Sequence, residues 1–142
     1  MKNRYFKILS LIFFLVVCLS FSVYSQSVYV GKSGSQGKIL EKFIVPEEMK
    51  KLVENPTDSI WIIDVRSEKA YANGHIPTAR NFPAGSIKGH LSEIPTEKYL
   101  ILYCTVGANA QIASKTLKKA GYKRYINWGG INRWTWAKEA NP

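Results

Sequence analysis

Two uninterrupted apolar runs of strand length, Ser59–Val65 (SIWIIDV) and Tyr99–Tyr103 (YLILY), constrain this chain most. A run that is apolar at nearly every position is covered on both faces, as strands are in a parallel sheet lying between helices. The intervening segments supply those helices. Pro46-Glu47-Glu48 opens a short helix through Val53, with proline in the first turn and acids at the positive end of the helix dipole. Ser67 is a good N-cap for a helix through Ala72, which Asn73-Gly74 ends. Asn109–Ala120 carries an apolar stripe (Ile112, Ala113, Leu117), a basic face (Lys115, Lys118, Lys119) and a stop at Gly121. Lys38–Val45 reads as a first strand, Arg80–Phe82 as a brief extended piece and Ala84–Leu91 as a short helix. Tyr122–Trp128 reads as a further strand, after which Gly129-Gly130 leads into a last helix over Ile131–Ala140. Strands alternating with helices imply an α/β domain with a mostly parallel sheet.

The whole chain has 142 residues, 20 Lys+Arg against 10 Asp+Glu, and two cysteines. That length suits one domain. A hydrophobic content of 46% with four Trp excludes a disordered or low-complexity chain. Two cysteines are too few for a disulfide scaffold or a four-thiolate zinc site. Not all 142 residues read as domain, however. Lys2, Arg4 and Lys7 precede a stretch without charge from Ile8 to Gly31, most of it strongly apolar. A basic start, an apolar centre and the small-residue site Val23-Tyr24-Ser25 describe a secretory signal, cleaved after Ser25. An uncleaved anchor and a lipid on Cys18 are the alternatives. Each of these places the folded part outside the cytoplasm, with a bacterial periplasm the expected setting. Residues 26–37, rich in Ser and Gly, read as a flexible lead-in, and residues 38–142 as the domain. Removal of the first 25 residues leaves 17 basic and 10 acidic side chains, a net charge of +7 read as spread over the domain rather than gathered in a stripe.

Cys104 is then the only cysteine of the mature chain, without an intramolecular partner. It is either a small buried hydrophobe or a reactive thiol, and its neighbours favour the second. In YLILYCTVGANAQIA a buried strand ends, the cysteine follows at once, a glycine-containing loop comes next and a helix begins. Ligands bind at the carboxyl ends of strands in open α/β sheets. The helix directs its free N–H groups and positive dipole end back at the loop, and successive loop N–H groups can form an anion nest. Gly107 frees the loop's conformation, while Ala108 and Ala110 leave room above the sulfur. The arrangement suits nucleophilic sulfur chemistry through an anionic adduct, with no histidine base required.

These residues resemble the rhodanese-like family of single-domain sulfurtransferases. Ile62–Asn81 (IIDVRSEKAYANGHIPTARN) is similar to the family's DVR…GHI-x-x-A-x-N segment. Tyr103–Ala110 matches its Cys-x-x-Gly loop, and Trp128-Gly129-Gly130-Ile131 with Trp134 its closing GG-x-x-x-W. The resemblance implies a three-layer α/β sandwich around a mostly parallel sheet of five strands. It implies transfer of a sulfane sulfur from a small anionic donor such as thiosulfate to a thiol or cyanide acceptor. A Cys104 persulfide would be held by the backbone of Thr105, Val106, Gly107, Ala108, Asn109 and Ala110. No metal or organic cofactor is implied. The chain departs from the pattern in one respect: its loop has no charge, and Asn109 stands where an arginine is common.

Asp64 and Arg66 read mainly as a structural pair, with Arg66 a lesser candidate to face the site, and His75 as a turn-stabilising residue rather than a base. Trp128 and Trp134 read as core. The uncharged loop also suits a non-catalytic binding module that docks an acidic protein partner through its basic helix face. Nucleic acid is not expected as a partner. A phosphatase-like or thiol redox enzyme ranks last, because the loop lacks an arginine and the chain lacks a CxxC pair.

Overall fold

The computed structural model describes residues 30–140. The expected export segment, residues 1–25 with Cys18, lies outside them. Four strands, β1 (Ile60–Asp64), β2 (Arg80–Asn81), β3 (Tyr99–Cys104) and β4 (Tyr125–Gly130), form a parallel sheet in the order β2-β1-β3-β4. The two apolar runs occupy its centre. Ile60 to Asp64 pair with Tyr99 to Tyr103 in register, and β3 is buried from Leu100 to Cys104.

Side chains of a strand alternate between faces, and this alternation builds three layers. On one face Ile62, Ile101, Tyr103, Ile126 and Trp128 pack against α1 (Pro46–Glu54) and a 3-10 helix, Lys38–Ile44. On the other, Ile63, Leu100, Leu102 and Cys104 pack against Ala110, Ala113 and Leu117 of α3 (Ala108–Lys119). A 3-10 helix over Ile87–Glu93 and a short α2 (Glu68–Ala72) complete the layers. Ser67 caps α2 as expected, accepting from the Ala70 N–H. Cys104 is in phase with Leu100 and Leu102, so its thiol lies on the α3 face.

The structure corrects four readings. Lys38–Val45 is helical rather than extended. Leu40 and Phe43, three residues apart, are buried while Ile39 is 61% exposed, a helical spacing and not a two-residue one. The last helix is only a 3-10 turn, Ile131–Arg133. Beyond it the backbone of Glu139 exchanges two hydrogen bonds with that of His75, at 2.8 and 3.0 Å, in place of bonds within a helix. The sheet has four strands among the described residues, not five. Finally, the end of the lead-in is not loose. The Gly31, Gly34 and Gln36 N–H groups donate to Asn127, Tyr125 and Lys123 carbonyls at 2.8 Å each, and a single antiparallel bridge joins Ser33 to Ile126. This segment covers the outer edge of β4, as a fifth strand would. No helix among the described residues is long and apolar enough to cross a membrane.

Candidate active site at the end of the third strand

Cys104 closes β3 and is 2% exposed. Its sulfur accepts a hydrogen bond from the Gly107 N–H at 3.0 Å. That bond requires the chain to reverse within three residues. Gly107 accomplishes this with φ +101°, in the left-handed region that other residues enter at a cost. Its carbonyl then accepts the first bond of α3, from the Gln111 N–H at 3.0 Å. The backbone N–H groups of Val106, Ala108 and Asn109 donate to no other group among the described residues. With the positive end of α3 they form a site for negative charge beside the sulfur. Within the loop Thr105, Val106 and Asn109 are exposed, Ala108 is half-buried, and Gly107 and Ala110 are buried. Ala110 packs in the same cluster as Cys104.

Two groups that hold this loop escaped the sequence reading. β4 carries a bulge, so that Leu102 pairs with Asn127 but Tyr103 with Gly129. The fully buried Asn127 side chain uses this irregularity. Its Nδ2 donates to the Gly107 carbonyl at 3.0 Å, and its Oδ1 accepts from the Gly129 N–H at 2.9 Å. An amide inside the strand YINW, just before a double glycine, was the available signal. Gly130 is the second group. A Cβ there would lie 2.3 Å from the Thr105 carbonyl oxygen and 2.8 Å from the Val106 Cα. Only a bare backbone lets the loop rest on β4.

Asp64 and Arg66 are brought together, as expected. The Arg66 Nε lies 3.0 Å from both Asp64 oxygens, and its Nη2 donates to Asp64 at 2.5 Å and to the Gly74 carbonyl at 2.8 Å. Asp64 also accepts from the Arg66 backbone N–H at 2.9 Å. The Asp64 hydrogen bond and charge hold the guanidinium protonated against the effect of burial. The pair anchors the segment around Gly74 rather than turning toward the sulfur. His75 is stacked on Tyr71 at 3.7 Å, its Nδ1 donates to the Tyr71 carbonyl at 3.0 Å, and its Nε2 is 3.6 Å from Glu139. These contacts fasten a turn and the C-terminal segment, and none is with the Cys104 loop. Trp128 and Trp134 are core, with indole N–H groups donating to Phe43 and Ala137 carbonyls at 2.7 and 2.9 Å.

Beside the loop is a depression of about 350 Å³ between Pro83-Ala84-Gly85 and the start of α3, lined also by Val65, Ser67, Asn109 and Ile112. None of these side chains is charged. Lys115 and Lys118 line a different cleft, on the β4 side of α3. Among the described residues no group of three or more His, Cys, Asp or Glu could hold a metal ion.

Comparison with known proteins agrees with the fold. A sulfurtransferase of Allochromatium vinosum is 35% identical over 79 residues, spanning 55% of this chain and 74% of that protein. The uncharacterized YqhL of Bacillus subtilis is 31% identical over 121 residues, 84% of this chain and 89% of its own. The single-domain sulfurtransferase RDL2 of Saccharomyces cerevisiae shares the fold, with a TM-score of 0.57 at 29% identity over 63% of this chain and 84% of that one. The rhodanese-like domain matches residues 45–137, most of the described structure, and on that match the chain belongs to the rhodanese-like family.

Proposed function

We propose that the chain is a sulfurtransferase that carries a sulfane sulfur on Cys104, from a small anionic donor such as thiosulfate to a thiol or cyanide acceptor. The Cys104 thiolate attacks the outer sulfur of thiosulfate. The sulfur–sulfur bond of the donor breaks, sulfite leaves with the bonding electron pair, and a cysteine persulfide anion remains. The acceptor thiolate or cyanide then attacks the terminal sulfur, and the electron pair of the cleaved bond returns to Cys104. The products are a new persulfide or thiocyanate and the free thiolate.

The observation that carries this reading is the Gly107 N–H directed at Sγ within a loop of otherwise unengaged N–H groups. Such donors stabilise negative charge on either sulfur of the persulfide without a charged side chain. Intact mass after incubation with thiosulfate is the direct test. The protein should gain one sulfur atom that cyanide removes, and Cys104→Ser should gain none. A wild-type protein that gains nothing from thiosulfate or from a small organic persulfide would sink the proposal. The basic and apolar start supports export, which N-terminal sequencing of protein recovered from a secreting cell would check: the chain should begin at Gln26.

A further inference from the structure

Nine of the ten acidic residues lie between Glu41 and Glu97, and the tenth is Glu139. Between Glu97 and Glu139 there are eight Lys and Arg and no acid, and no acid precedes Glu41. The fold lays these two acid-free stretches side by side. The segment around Lys32 and Ser33 runs along β4, and α3 packs over the same strand. Between them is a cleft of about 400 Å³ walled by Lys32, Gln111, Lys115 and Lys118 over Tyr125. It continues past Lys118 and Tyr125 to Lys123 as a second depression of about 300 Å³. The charge is therefore gathered on one flank, not spread over the domain.

We propose that this cleft docks an acidic, extended segment of a protein partner. Lys115, Lys118 and Lys123 meet no carboxylate among the described residues, and no acidic side chain lines either depression. A helix dipole accounts for lysines in the last turn of α3, but not for Lys115 or for Lys123 beyond the helix. An acidic peptide supplies the carboxylates that the Lys115, Lys118 and Lys123 ammonium groups lack. A bilayer surface favours convex, apolar-tipped contacts, whereas these lysines border a concave cleft. Gln111 is hydrogen-bonded to Gly107, so the cleft opens one helical turn from the Cys104 loop. The docking itself does not depend on sulfur transfer.

The full chain carrying Cys104→Ser removes that chemistry from the test. Its binding to a fluorescent oligoglutamate peptide is read by anisotropy at low salt. Lys115→Glu with Lys118→Glu should weaken binding about tenfold. Lys69→Glu with Lys88→Glu makes the same change in net charge elsewhere and should weaken it by less than about twofold. Equal losses in the two double variants would reduce the effect to net charge and overturn the proposal. So would anionic phospholipid vesicles that bind through Lys115 and Lys118 when the peptide does not.

Discussion

Asn127 is a buried amide whose two hydrogen bonds both govern where the loop sits. Replacing it by leucine keeps the volume but leaves the Gly129 N–H without a partner and the Gly107 carbonyl with only its bond from Gln111. An unsatisfied buried group costs about 1–3 kcal/mol and a lost hydrogen bond about 1 kcal/mol, so Asn127→Leu should destabilise the domain by about 2–4 kcal/mol in urea unfolding. Sulfur loading of the folded variant should also slow, because Gly107 supplies the N–H on the sulfur. Loading at the wild-type rate would show that Asn127 supports the fold alone. Asn109 tests the opposite feature, the uncharged mouth. Asn109→Arg adds a cation at the depression beside the loop, and the KM for thiosulfate should fall severalfold with kcat little changed. An unaltered KM would mean that the donor enters elsewhere. Of these residues only the loop was legible beforehand. Cys104 announces itself by ending an apolar strand, whereas Asn127 acquires its role from a bulge that no local pattern encodes.

The elements divide along the same line. β1, β3 and α3 are readable because burial reaches both faces of the two strands and recurs along one face of the helix, and burial is what an apolar run or stripe records. The failures are segments whose hydrogen bonds go to distant chain. Residues 31–36 bond to β4, and Glu139 bonds to His75, neither of which leaves a local signature. In sequence Gly129-Gly130 reads as a lead-in to a helix, but these glycines end β4, and Gly130 makes room for the Cys104 loop. Substitution separates the two roles. In Gly130→Ala a new methyl must displace the backbone of Thr105 and Val106, whereas a Cβ at Gly85 meets nothing within 4 Å. Gly130→Ala should lose most of its sulfur loading and about 1–3 kcal/mol of stability, and Gly85→Ala should change neither by much. If both variants load sulfur like wild type, the loop tolerates the displacement and its contact with β4 is not needed for the chemistry.

On the scale of the whole molecule, charge and burial respond differently to pH. Burial, aided by the Asp64 carboxylate, holds the Tyr103 phenol far above its usual value, and burial also raises Tyr71, Tyr122 and Tyr125. Below pH about 10 these phenols are protonated in both the folded and the unfolded chain, so they impose no dependence on pH. Above it the unfolded chain releases protons that the folded chain keeps. The unfolded state then binds fewer protons, and stability must fall as pH rises. Working at high salt screens the mutual repulsion of the surface lysines. Urea midpoints should therefore be flat from about pH 8 to 9.5 and drop above pH about 10. Tyr103→Phe distinguishes this cause from general alkaline damage. It removes the Tyr103 hydroxyl that accepts from the Ile76 N–H at 3.0 Å, so the variant should be less stable by about 1–3 kcal/mol at neutral pH. Its stability should nevertheless decline less steeply above pH 10, since one proton fewer is released on unfolding. A variant that declines as steeply as the wild type would assign the alkaline loss to groups other than the phenol packed between Asp64, Arg66 and the Ile76 backbone.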